Sequence, residues 1–305
     1  MSAKSSSHAP KRFVVKSDGA NIHGYLRVPP LATGKVPAIV MAIGFSGVKD
    51  GYLDLFADRF AGAGFATLSF DFRGLGDSDG APRQEIDPWA QIADYRNVIT
   101  FAESVPQIDA GRIGVWGSSL SGGHALVLGA IEPRVRCVVA QVPQISGAEA
   151  VRRTFQPAQL AFLRNALNDD RKRRSQGAQP TMLPVVAKDA TTPAVWTRAD
   201  AYQFYFGAKE KFGTQWVNEV TLRSIENVQA YEPGSYIPRI SPTPLLMIVA
   251  DGDDLTFTDL ALQAYASAAE PRSLVRLPGG HFDIYEQGFE PAVGAAIDWY
   301  RQHLN

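Results

Sequence analysis

Short runs dense in Val, Ile, Leu and Ala recur along the chain: "VPAIVMAIG" at 36–44, "FATLSFDF" at 65–72, "RIGVWGS" at 112–118, "VRCVVAQV" at 135–142 and "TPLLMIVAD" at 243–251. Runs of this length and composition fit strands covered on both faces. Between them lie "YLDLFADRFAGAG", "PWAQIADYRNVITFAESV" and "SGGHALVLGAI", which carry helical spacing. Strands that alternate with helices need crossover connections, so the pattern specifies an α/β fold with a mostly parallel central sheet. Two features bracket it. At the front, "RFVVKS" and "NIHGYLRV" flank the turn signal "DGA" and predict an antiparallel hairpin. At the back, "TDLALQAYASAA", "RSLVRL" and "EPAVGAAIDWYRQHL" predict a helix, a strand and a closing helix.

Residues 145–240 break the alternation. They are richer in Arg, Gln, Asn and aromatics, and "PAQLAFLRNALND", "ADAYQFYFGAKEKF" and "WVNEVTLRSIENV" are predicted as helices. A structureless loop of this length is improbable inside a compact domain, so the segment reads as a helical cap over the sheet. The expected organisation is a disordered N-terminus over 1–10, an α/β core from 11–144 and 241–305, and the cap over 145–240.

Bulk composition excludes several classes. Hydrophobic residues make up 45% and charged residues 20% of the 305, enough apolar material for a sizeable core. A net charge of −1 argues against a general nucleic-acid binder and against electrostatic attachment to membranes. The run "RKRR" at 171–174 reads as a solvated cap surface. The single cysteine, Cys137, can form neither an internal disulfide nor a cysteine-based metal site, and its apolar surroundings predict a buried thiol. "MSAKSSSHAPKR" has no apolar run of signal-peptide length after it, and no segment approaches the ~18 apolar residues of a membrane span. A cytoplasmic protein with no nucleic-acid or membrane partner is expected, its cap offering a surface on which two subunits could pair as a homodimer.

The chemistry concentrates in "VWGSSLSGGHAL", residues 115–126. A nucleophilic serine at a strand-to-helix turn, a nucleophile elbow, needs small residues two before and two after it. Ser118 is flanked at those positions by Trp116 and Leu120 and fails. Ser121 passes on size but lies further from the strand end, inside the coming helix. Ser119, between Gly117 and Ser121, meets the demand, and the helix that follows puts its positive end under the site.

A serine hydroxyl at neutral pH needs a general base. Five histidines are present: His8, His23, His124, His281 and His303. His8 and His303 lie near the two ends, His23 lies in the first hairpin, and His124 is carried away from the turn along its helix. His281, in the glycine-flanked loop "LPGGHFDIY" after a strand, is left at the carboxyl edge of the sheet, where sites in open α/β folds form. The carboxylate that orients this base is sought in "VADGDDLTFTDLAL". Asp259 suits the start of the next helix and Asp251 the turn itself, which leaves Asp253 and Asp254. The order nucleophile, acid, histidine is that of α/β-hydrolases. For the oxyanion, the backbone N–H groups of Leu120 and of Phe45, in "IGFSGVKD", are the expected donors, with Ser46 the alternative to Phe45. Gly44 and Gly47 let that loop approach a ligand. "DFRGLGDSDG" lacks the order of a phosphate-binding loop; Asp71 and Arg73 are expected to hold loops beneath the site.

With these residues placed, the chain resembles the α/β-hydrolase superfamily over nearly its whole length. Within it, the chain is similar to dienelactone-hydrolase-like and Xaa-Pro-peptidase-like esterases and to fungal polyketide transferases or thiohydrolases. "MAIGFSGVKD" is similar to the "GFGGVK" loop of those groups, and their acid, followed by a Thr-Asp-Leu helix start, falls at Asp253. Ile43 departs from a common His-Gly pair and Ser121 from a common glycine. The resemblance implies a serine hydrolase acting on a small-molecule acyl substrate, an ester, thioester or lactone, without metal or organic cofactor. Ser119, Asp253 and His281 would form its triad. An acyltransferase or a carbon–carbon hydrolase would use the same residues, and a non-catalytic ligand-binding member would be expected to lack one of them. An apolar pocket would draw on Trp196, Tyr202, Phe204, Tyr205, Phe206 and Trp216, most of which are expected to pack the cap.

Overall fold

The computed structural model describes residues 10–29, 34–189 and 191–304. The expected disordered segment, with His8, lies outside the described residues apart from Pro10. The chain opens with β1 (Lys11–Ser17) and β2 (Ala20–Arg27), paired antiparallel through the turn at Asp18 and Gly19, both at positive φ. Then come β3 (Val36–Ala42), α1 (Tyr52–Gly62), β4 (Ala66–Phe70), α2 (Pro88–Ser104), β5 (Ile108–Ser118), α3 (Leu120–Ile131) and β6 (Val135–Gln141). The insertion holds α4 (Gly147–Thr154), α5 (Pro157–Ser175), β7 (Met182–Leu183), α6 (Ala199–Phe212), β8 (Val220–Thr221), α7 (Arg223–Gln229) and a 3₁₀ turn (Pro233–Arg239). The chain closes with β9 (Leu245–Ala250), α8 (Thr258–Ala266), β10 (Arg272–Leu277) and α9 (Phe289–Leu304).

Eight strands form one sheet in the order β1-β2-β4-β3-β5-β6-β9-β10. β2 pairs antiparallel with both its neighbours, and every pairing from β4 to β10 is parallel. The apolar runs are continuous because each strand feeds two cores. Ala38, Val40 and Ala42 join the core under α2 and α3, while Ile39, Met41 and Ile43 join the core under α1 and α9. Leu245, Met247 and Val249 divide from Leu246, Ile248 and Ala250 in the same way. At about 1.5–3 kcal/mol for each large side chain buried, these two layers dominate the stability of the fold. Cys137 is buried in the second of them, and burial pushes its thiol pKa up.

Helix ends follow local chemistry. Asp87 caps α2 by accepting from Trp89 N–H at 3.0 Å and Ala90 N–H at 3.1 Å, with Pro88 in the first turn. Ser146 caps α4 through Glu149 N–H at 3.0 Å.

The insertion corrects one expectation. "WVNEVTLRSIENV" is not one helix: β8 occupies Val220–Thr221 and α7 begins only at Arg223. The Asn218 side chain accepts from Val186 N–H at 2.9 Å and donates to Val186 C=O at 3.0 Å, which holds this stretch extended beside the 183–196 segment. Thr221 N–H reaches Gln84 C=O at 3.0 Å instead of a helical partner. The sequence reading also missed α4 and the proline-containing turn at 233–239, which lies against α3, with the Pro233 ring close to Gly123. The "RKRR" run sits on the outer end of α5, where its four side chains pair with Glu226, Asp169 and Asp170. No helix among the described residues is long and apolar enough to cross a membrane.

Candidate active site

β5 ends at Ser118 and α3 starts at Leu120, so the whole change of direction falls on Ser119, at φ 61° and ψ −123°. That conformation is strained for a residue with a side chain and persists only where its surroundings hold it. They do so on both sides. Ser119 N–H donates to Gln141 C=O at 2.9 Å, and Ser119 C=O accepts from Gly123 at 3.2 Å and Gln144 at 2.9 Å. A Cβ on Gly117 would collide with the Ser121 carbonyl oxygen, which is why the position two before the serine must be glycine. Gly44 makes room for the serine itself: a Cβ there would lie 2.6 Å from Ser119 Cβ. Its neighbours point elsewhere. Ser118 Oγ lies 2.5 Å from Tyr285 OH, and Ser121, inside α3, 3.0 Å from Tyr95 OH.

His281 follows β10 in the loop 278–282 and is buried. Its Nε2 lies 3.0 Å from Ser119 Oγ and its Nδ1 2.7 Å from Asp253 Oδ2. A proton on Nδ1, donated to Asp253, leaves the Nε2 lone pair facing the serine hydroxyl. The other oxygen, Asp253 Oδ1, accepts from the N–H groups of Leu255 and Thr256, both at 2.9 Å, while Thr256 Oγ1 donates to Oδ2 at 2.8 Å. Burial alone would raise the Asp253 pKa. The charge and hydrogen bond of His281, with the Thr256 and Leu255 N–H groups, outweigh it and bring the value to about 2.

The other acids are engaged elsewhere. Asp251 pairs with Arg276 at 2.7 Å, Asp254 with Arg198 at 2.6 Å, and Asp259 with Arg153 at 2.7 Å. The residues that separate Asp253 from Asp254 are readable in principle: Asp253 closes an Asx turn with Leu255 N–H and has a threonine three positions on that bonds the same carboxylate through N–H and hydroxyl. Among the remaining described histidines, His124 is fully buried between Tyr231 OH and Gln91 Oε1, each at 2.9 Å, and burial lowers its pKa to about 3. His23 lies on β2 and His303 against Trp299.

Beside Ser119 the backbone N–H groups of Phe45 and Leu120 have no acceptor among the described residues, and both residues line the same small chamber as Ser119. Gly44 C=O accepts from Gly47 N–H at 3.1 Å, closing the turn that carries Phe45. Lys49, almost wholly buried, ties this loop down. Its N–H donates to Asp71 Oδ1 at 2.6 Å, and its ammonium meets Asp71 at 2.9 Å and Asp77 at 2.7 Å. Burial opposes the Lys49 charge, but these carboxylates prevail and hold its pKa above the ordinary lysine value. Arg73 pairs with Asp94 at 2.6 Å and reaches Ser17 at 3.0 Å. Asp71 and Arg73 therefore hold loops beneath the site, whereas Lys49 was not singled out from the sequence.

The chamber has a volume of about 70 Å³, and its other walls come from both parts of the chain, including Val151, Phe155, Trp196, Ile225 and Leu255. Several of the same side chains also line an adjoining groove of about 820 Å³ bounded by Phe162, Leu163 and Phe257. The ionisable side chains of that groove, Arg153, Arg198 and Asp254, are all taken up in ion pairs. Of the insertion's aromatics, Trp196 lines the chamber, Tyr205 and Trp216 are buried, Phe204 packs on Tyr52 and Phe282, and Tyr202 stacks on Phe206.

A mostly parallel sheet with a serine on the strained turn between a central strand and its helix defines an α/β-hydrolase. The chain belongs to the X-Pro dipeptidyl-peptidase (S15) family, whose sequence model matches residues 18–283. It is 32% identical over 295 residues to the quorum-quenching protein AidA of Acinetobacter baumannii, covering 96% of this chain and 95% of that one. A thiohydrolase of Eupenicillium brefeldianum is 30% identical over 271 residues, covering 88% and 85%. Among solved structures, the α/β hydrolase GrgF from Penicillium sp. sh18 superposes with a TM-score of 0.82 at 26% identity, covering 97% of this chain and 98% of that one. The chain is a hydrolase.

Proposed function

We propose that the protein is a serine hydrolase that cleaves a carboxylic ester, thioester or lactone through an acyl-enzyme. The observation that carries this reading is the hydrogen-bonded series Ser119 Oγ, His281, Asp253, at 3.0 and 2.7 Å. His281 Nε2 takes the Ser119 proton as Oγ bonds to the acyl carbon. The carbonyl oxygen, now an oxyanion, accepts from Phe45 and Leu120 N–H, at the positive end of α3. As the tetrahedral centre collapses, the leaving group departs with the proton from His281. Water then attacks the acyl carbon with the same base, and Ser119 is regenerated. Asp253, held ionised, keeps the imidazole in the required tautomer and offsets its positive charge during both steps.

The substrate is a neutral molecule with an apolar portion. The walls around Ser119 are mostly hydrophobic, and the groove beyond them presents no unpaired charge among the described residues. The family's peptidase name is not carried over, because among the described residues no carboxylate lines the chamber to receive a peptide's terminal amine. Relatives named thiohydrolases favour a thioester. Labelling of Ser119 by a fluorophosphonate, lost in Ser119→Ala together with turnover of p-nitrophenyl butyrate, is the expected result. Ester turnover in Ser119→Ala at the wild-type rate would remove the reading.

Relatives named polyketide transferases support a second reading, transfer of the acyl group to an alcohol or amine by the same residues. Product analysis in water containing an acceptor alcohol separates the two: free acid marks hydrolysis, a new ester marks transfer.

A further inference from the structure

The loop that carries Phe45 is held from two sides. From below, Lys49 fastens it to Asp71. From above, two side chains of the insertion reach it. Tyr205 of α6 donates its hydroxyl to Phe45 C=O at 2.6 Å, and Trp216 Nε1 donates to Ser46 Oγ at 3.2 Å. Both side chains are buried, Tyr205 at 8% and Trp216 at 4% exposure. Their rings form one stack with Trp196, with centroids 4.9 Å apart for Tyr205–Trp216 and 6.2 Å for Trp196–Tyr205. Trp196 in turn meets Phe45 edge-on at 5.0 Å. Three aromatic residues from separate parts of the insertion are therefore applied to two consecutive residues of the core loop.

We propose that Tyr205 and Trp216 are positioning residues for the oxyanion donor at Phe45, so that the insertion sets transition-state stabilisation as well as the shape of the chamber. The inference rests on the Ser119–His281–Asp253 reading given above.

The Phe45 N–H lies in the Gly44–Phe45 peptide plane, and where that plane sits in the chamber depends in turn on how the next plane, Phe45–Ser46, is held. The Gly44–Phe45 plane is fixed at its carbonyl end by Gly47 N–H. The Phe45–Ser46 plane has no such partner within the loop; Tyr205 supplies it. Ser46 sits at φ 54°, a left-handed conformation that a serine leaves readily unless it is held. Without the phenol and the indole N–H, Ser46 can relax and turn the plane next to the donor. The Tyr205 phenol stays protonated, since burial pushes its pKa up, and so remains a donor across the working range. A hydrogen-bond donor displaced from the oxyanion loses much of its effect on the rate while leaving ground-state binding intact.

The test compares Tyr205→Phe, which deletes only the hydroxyl, with Tyr205→Ala and Trp216→Phe. Each is assayed on p-nitrophenyl butyrate and for inhibition by an alkyl trifluoromethyl ketone, whose tetrahedral adduct on serine places an oxygen at the oxyanion position. For Tyr205→Phe, kcat falls about tenfold and ketone affinity weakens by a similar factor, with KM within about twofold and the thermal midpoint within a few degrees of wild type. Trp216→Phe changes the same quantities in the same direction, by less. Wild-type kcat and ketone affinity in Tyr205→Phe, with loss only in Tyr205→Ala, would show that the ring merely packs, and would overturn the inference. A loss confined to KM would overturn it as well. Ser119→Ala separates the two levels. If that variant keeps wild-type turnover, both readings fall. If it is inactive while Tyr205→Phe is unimpaired, only the positioning role falls.

Discussion

His281 and Asp253 meet through one short contact, Nδ1 to Oδ2 at 2.7 Å, in a site where both side chains are buried. The carboxylate has its remaining acceptor positions filled by Leu255 and Thr256, so it can turn neither away from the imidazole nor toward water. Removing its charge while keeping its shape isolates its part in the reaction. Asp253→Asn is expected to lower kcat by on the order of 10³–10⁴-fold, with little change in KM, because the amide can hold the ring in the wrong tautomer. Asp254→Asn, whose side chain faces Arg198 at the surface, should leave kcat within about twofold in the same assay.

Two buried groups make the fold acid-sensitive in different windows. His124 is held neutral by burial, with its pKa near 3, below that of an unfolded histidine. The unfolded chain therefore binds the extra proton first, and stability is lost as pH falls from about 6.5 toward 3. Asp253 is depressed to about 2, so its contribution is complete above the unfolded carboxylate value and is lost between about 4 and 2. In urea titrations at pH 7, 5 and 3.5, His124→Gln should flatten the decline over the upper window. A wild-type-like slope in that variant would refute the assignment.

Gly44 is placed where a methyl group would press on the Ser119 side chain. Gly44→Ala should lower kcat by about tenfold or more while the protein remains folded, because the elbow must shift only a little for the hydroxyl to lose its 3.0 Å contact with His281. Gly117→Ala, by contrast, drives a methyl into backbone and should cost stability as well as activity. Circular dichroism melts alongside steady-state rates distinguish the two outcomes.

The chamber of about 70 Å³ at Ser119 holds only a short group, and anything longer must continue past Phe155, Ile225 and Leu255 into the outer groove. Ala166 on α5 lines that groove but not the chamber. Ala166→Trp should therefore reduce kcat/KM for p-nitrophenyl decanoate by about tenfold and leave the butyrate ester within about twofold. Equal loss on both esters would mean that the groove takes no part in binding the chain.

The strand runs and the spacing of Ser119, Asp253 and His281 were legible because each depends on local facts. Apolar period and turn residues specify strands and helices, and in a parallel sheet the loops after β5, β9 and β10 must all emerge at the same edge. Gly117 was legible for the same reason, since the crowding it relieves is with Ser121, four positions on. Where distant partners overrode a local signal, the reading failed: "WVNEVTLRSIENV" has helical spacing throughout, yet bonds from Asn218 and Thr221 to segments far along the chain hold part of it extended.

The amino-acid order by itself determined the layered α/β architecture, the serine at the elbow and the edge at which His281 and Asp253 meet. Tertiary structure alone decided that Asp254 turns outward to Arg198, that Lys49 is buried under the loop carrying Phe45, and that Tyr205 lies against Phe45, 160 positions earlier. Secondary structure follows from patterns within a few residues. The direction of a loop side chain follows from partners that only the folded chain brings within hydrogen-bond distance.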